Sequence, residues 1–106
     1  MSKEALIVAG PNGVGKTTFA EEYVATYPRP FLSADAIVQR LSPEEPAQAR
    51  VRAFFAELDG LIRSGESFVV ESTLGYGRIL ERLKREGYTV TIAFVFEWQQ
   101  FIKAQK

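Results

Sequence analysis

The chain has 106 residues, 46% of them hydrophobic and 25% charged, which is the composition of one small globular domain. Lysine plus arginine balance aspartate plus glutamate at 13 each, so no net field recruits nucleic acid or an anionic membrane. Cysteine and histidine are both absent, which excludes disulfides, thiolate chemistry and imidazole bases; a general base here must be a carboxylate, a lysine or a tyrosine.

Taken in chain order, "EALIVA" (4–9) is a short apolar run bounded by Gly10 and Pro11, and it predicts a buried strand. No signal-peptide cleavage site follows it, and no run reaches transmembrane length, so the expected setting is cytoplasmic. From Gly15 the spacing of Phe19, Ala20, Tyr23, Val24 and Tyr27 predicts a helix, ended by Pro28 and Pro30. "FLSAD" (31–35) predicts a second strand running into a turn, and "AIVQRL" a short helix with Asp35 as a candidate N-cap. After "SPEEP" (42–46) the longest helix carries an apolar stripe of Val51, Phe54, Phe55, Leu58, Leu61 and Ile62, with Gly65 at its end. "SFVVE" (67–71) is a third strand. Ile79, Leu80 and Leu83 mark a further helix closed by Gly87. "TVTIAFVF" (89–96) is a fourth strand, apolar enough that both of its faces should be covered, as in a parallel sheet. The alternation predicts an α/β three-layer sandwich with a mostly parallel sheet, ending after about the fourth strand.

Gly10, Gly15, Lys16 and Thr17 match the phosphate-loop pattern G-x-x-x-x-G-K-[ST], between a strand and a helix. Glycines 10, 13 and 15 free the backbone of the whole loop, Gly10, Pro11, Asn12, Gly13, Val14 and Gly15, to turn its N–H groups inward on an anion. Lys16 is expected on the β- and γ-phosphates of ATP, Thr17 on Mg²⁺, and Thr18 as a further phosphate contact. Two acids, Asp35 and Glu71, fall at strand carboxyl ends, where open α/β sheets bind ligands. Asp35 could accept a proton from an attacking hydroxyl. Glu71 could hold a metal-bound water or a substrate hydroxyl, or could simply be a solvated acid. The segment "FVVES" carries no Asp and no "LSGGQ"-like segment appears, which argues against a transport ATPase and towards a small-molecule kinase.

The segments "IVAGPNGVGKTTFAEEY", "FLSADAIVQRLSPEEPAQAR" and "GESFVVESTLGYGRILERLKREGYTVTIAFVF" together resemble the zeta-toxin and UDP-N-acetylglucosamine kinase family of P-loop proteins. The resemblance implies a nucleotide-kinase fold over residues 1–96, with 97–106 as a tail. It implies transfer of the ATP γ-phosphate, with Mg²⁺, to a hydroxyl of a UDP-sugar. Carried over by position, Asp35 is the catalytic carboxylate, Lys16 and Thr17 serve phosphate and metal, and Glu71 and Thr73 contact substrate. Family members continue into an arginine-bearing lid, whereas this sequence has no arginine after Arg85. Two expectations follow: a nucleotide-binding module with little catalysis as the alternative function, and an exposed edge at 89–96 that pairs with a second copy. Arg78, Arg82 and Arg85 form a row on the preceding helix that is expected to be a solvated face.

Overall fold

A computed structural model describes residues 3–10, 15–72 and 76–95, with Asp35, Val38 and Tyr76 described by their backbones alone. Four strands, β1 (Lys3–Ala9), β2 (Phe31–Ser33), β3 (Phe68–Glu71) and β4 (Tyr88–Phe94), alternate with four helices, α1 (Lys16–Thr26), α2 (Ala34–Arg40), α3 (Ala47–Ser64) and α4 (Tyr76–Arg85). The sheet has the order β2-β3-β1-β4. Every pairing in it is parallel, which realises the expected α/β architecture.

The strand period of two divides the apolar residues between two layers. Ala5, Ile7, Phe68 and Val70 join Leu58, Ile62, Ile79 and Leu83 on the face covered by α2, α3 and α4. Leu6, Val8 and Val69 join Ala20 on the opposite face, under α1. Because β1 is paired on both sides and covered on both faces, Ala5 to Ala9 are buried without a break. The ring of Phe68 meets that of Tyr88 edge-on at 5.4 Å, which ties β3 to β4 beneath the central strand.

Three features differ from the sequence expectation. β2 stops at Ser33, and Asp35 lies inside α2 rather than at a strand end. The Ala36 N–H donates to Ser33 Oγ at 3.4 Å, so Ser33 and not Asp35 caps α2. Val51, assigned to the buried stripe of α3, is 41% exposed, because the packed face is carried by Phe54, Leu58 and Ile62. The third difference is in β4. Thr89, Thr91 and Phe94 are exposed while Val90 and Ile92 are half-buried, so its two faces are not both covered. The physical cause is its place at the sheet edge, since α1 leans on β1, β2 and β3. The edge position itself was expected.

The arginine row on α4 is not uniformly solvated: Arg82 pairs with Asp59 of α3 across the helix interface. Tyr88 donates from its hydroxyl to the Glu66 carbonyl at 2.8 Å. Burial, and after it the Glu66 and Glu86 carboxylates, push its phenol above the ordinary value of 10.0.

Phe68→Ala should cost about 3–5 kcal/mol in urea unfolding, because Phe68 is fully buried between two strands. The raised phenol pKa means that the neutral form is the one the fold favours. Its contribution is complete below pH ~10 and is lost as pH rises through the folded value. Tyr88→Phe should flatten the alkaline end of the stability–pH curve.

Candidate active site

Strands that run parallel deliver all their carboxyl ends to one edge of the sheet, and the candidate residues collect there. α1 begins at Lys16, with Gly15 as N-cap in the left-handed region at φ 92°. Among the described residues no side chain caps this terminus and no acidic residue occupies its first turn, so neither offsets the positive end of the helix.

Gly10 has a role that its motif position did not reveal. Its φ is 134°, and a Cβ built on it would lie 2.1 Å from the Val95 carbonyl oxygen. The turn out of β1 passes so close to the end of β4 that only glycine fits. The Val95 N–H in turn donates to the Ala9 carbonyl at 2.8 Å. The carbonyl of Gly10 accepts a 2.7 Å hydrogen bond from Lys16 Nζ. Lys16 is only 4% exposed. A buried ammonium whose described partner is a single neutral carbonyl is under-compensated, and an anion would supply what is lacking.

Glu71 closes the other side of this mouth. Period-two alternation puts Val69 and Glu71 on the α1 face of β3, and Phe31 and Ser33 on the same face of β2. The register sets Ser33 directly opposite Glu71, with Val8 on its other flank. Ser33 Oγ lies 3.1 Å from Glu71 Oε1. Thr17 Oγ1 lies 3.3 Å from that oxygen and 3.5 Å from Oε2. At 5% exposure Glu71 is no solvated acid. Its hydrogen-bond donors among the described side chains are two hydroxyls, and no lysine or arginine among the described residues forms an ion pair with it.

The structure thus brings Gly10, Gly15, Lys16, Thr17 and Glu71 together. Thr18 is in the first turn of α1 and exposed. Asp35 enters α2 two residues after Ser33, and its side chain lies outside the described residues. Pro11, Asn12, Gly13, Val14 and Thr73 also lie outside them. Sequence reading missed Ser33, whose only signal was its place two residues before Asp35 at the end of a strand. Among the described residues no group of three or more acids could by itself cage a metal ion. Thr17 and Glu71 offer oxygen donors of the kind a divalent ion takes.

Residues 6–93 match a family model described as an AAA domain. The chain belongs to that AAA domain family. Its fold is also that of three solved proteins. A presumed kinase from Chloroflexus aurantiacus aligns with a TM-score of 0.70 at 20% identity, over 90% of this chain and 59% of the other. A protein of the PezAT chromosomal toxin–antitoxin system of Streptococcus pneumoniae aligns at 0.60 and 18%, over 88% and 47%. A sugar kinase from Janibacter sp. HTCC2649 aligns at 0.57 and 23%, over 97% and 65%. The chain therefore spans less than two thirds of each of these structures. No curated protein sequence matches it. The family and its neighbours establish a P-loop kinase-like fold, in which no helix among the described residues is long and apolar enough to cross a membrane.

Gly10→Ala should destabilise the fold by about 1–3 kcal/mol or more, through the forced φ and the collision with Val95. Chemical denaturation checks this: an unchanged midpoint would contradict the close approach of the two strand ends.

Proposed function

We propose that the chain binds ATP through the loop 10–18, together with Mg²⁺, and belongs to a kinase that phosphorylates a hydroxyl of a small molecule, with a UDP-sugar such as UDP-N-acetylglucosamine as the first acceptor to test. One observation carries the reading. The buried Lys16 ammonium rests on the Gly10 carbonyl, beside a helix terminus that no described side chain caps. Such a site favours an anion, and the phosphates of a nucleotide fit it.

In this reading the N–H groups of the loop and of the start of α1 hold the phosphates. Lys16 turns from the Gly10 carbonyl to the β- and γ-phosphate oxygens. Thr17 and Glu71 would hold the Mg²⁺ side of the nucleotide, Thr17 through its oxygen and Glu71 through metal-bound water. The ion, when bound, neutralises charge on the transferring group. Asp35 is assigned as the base. It takes the proton of the acceptor hydroxyl as that oxygen bonds to the γ-phosphorus, the bond from phosphorus to the bridging oxygen breaks, and ADP leaves. Thr73 and Glu71 are assigned to the acceptor. The resemblance of "SADAI" and "ESTL" to zeta-toxin-type kinases supports this assignment and the choice of a UDP-sugar.

Calorimetric titration of MgATP into the parent and into Lys16→Ala tests the binding half. The parent should bind, and the variant should lose about tenfold or more in affinity, as expected when a charge-assisted contact is removed. Absence of binding by the parent would refute the reading. Phosphate transfer to UDP-N-acetylglucosamine, followed in the parent and in Asp35→Asn, tests the other half. Loss of a general base should lower the rate by about 10²–10⁴. Nucleotide binding with no transfer to any UDP-sugar would instead favour a nucleotide-binding module.

A further inference from the structure

We propose that Ser33 is a positioning residue for the metal side of the site: it holds the Glu71 carboxylate, and through it the Thr17 hydroxyl, in the orientation that a nucleotide-bound divalent cation requires. The inference rests on the nucleotide-binding reading above and concerns a residue that neither the motif nor the resemblance assigns.

Three observations carry it. The parallel register sets Ser33 opposite Glu71, and both side chains are nearly inaccessible, at 9% and 5% exposure. Ser33 Oγ and Thr17 Oγ1 converge on the same carboxylate oxygen, Oε1, at 3.1 and 3.3 Å. Among the described residues the side-chain donors to this buried carboxylate are neutral hydroxyls, so an arriving cation would add the charge compensation they do not supply. The third observation is the double duty of Ser33. The hydroxyl that donates to Glu71 also accepts the Ala36 N–H at the start of α2. One oxygen therefore links β2, β3 and the helix that bears Asp35.

The consequence is specific. With the Thr17 hydroxyl donating a hydrogen bond to Glu71, a Thr17 lone pair is left for the cation. If Ser33 no longer fixes Glu71, the carboxylate can rotate and Thr17 loses its anchor. Residues of this indirect kind typically change metal affinity by about 10–100-fold while leaving the ligands in place.

The test measures ADP affinity by calorimetry in Mg²⁺ and again in EDTA, without any turnover. Ser33→Gly removes the donor to Glu71, yet glycine is itself an acceptable N-cap. Ser33→Thr keeps the hydroxyl. The expected result is that Ser33→Gly loses about tenfold or more of the Mg²⁺-dependent gain in affinity, with EDTA values unchanged and Ser33→Thr closer to the parent. Glu71→Gln should lower the same gain, and the double variant should lose less than the sum of the two. Should Ser33→Gly fail to fold, Ser33→Ala enters the same cycle in its place. An unaltered Mg²⁺ gain in the Ser33 variant, a parallel loss in both buffers, or strict additivity with Glu71→Gln would each overturn the proposal while leaving nucleotide binding intact. Failure of the parent to bind ADP in either buffer would overturn the nucleotide reading and this inference together.

Discussion

The structure depends on one strand being satisfied from every side. β1 donates and accepts along both edges, to β3 and to β4, and both of its faces are covered by helices. A central strand covered on both faces meets no water, so its backbone groups and apolar side chains must be matched inside the fold. That requirement selects a continuous apolar run for residues 5–9. It also sets the distance between the α1 layer and the layer of α2, α3 and α4. Phe68, Val70, Leu58 and Leu83 fill one side of β1, and Val8, Val69 and Ala20 fill the other.

The site is a by-product of the same arrangement. Once the strands are parallel and in register, the turn leaving β1, the end of β2 and the end of β3 arrive at one edge. Side-chain alternation then decides what they present. Leu32 and Val70 point into the larger core, so Ser33 and Glu71 must point to the α1 side, where Thr17 waits at the helix start. Among the described strand residues, Ser33 and Glu71 are the buried polar ones. Gly10 joins the two ideas: its lack of a side chain lets the ends of β1 and β4 approach, and its carbonyl parks the lysine that serves the loop.

Edge position explains why β4 departs from its expected burial. A strand of mixed Thr, Val, Ile and Phe reads as an inner strand when only composition is considered. Its neighbours decide otherwise: with β1 on one flank and α1 centred over the other three strands, Thr89 and Thr91 are left facing solvent. Propensity and hydrophobicity describe a strand's own residues, whereas coverage is a property of whatever lies beside it.

Strand β1 and the start of α1 at Lys16 were legible in the amino-acid sequence because their signals are local: an apolar run, Gly10, Gly15, Lys16 and Thr17 fall within one short stretch. The order of elements and the long α3 helix with its glycine terminus were legible for the same reason, since periodicity and capping act within a few residues. The burial of Glu71, its contact with Ser33 and the demand for glycine at position 10 were not legible. Glu71 is 54 residues from Thr17 and 38 from Ser33 along the chain, and Val95 is far from Gly10 in the same way. Which partner a side chain meets across such distances is fixed by strand order and register, and those are decided by how the layers pack.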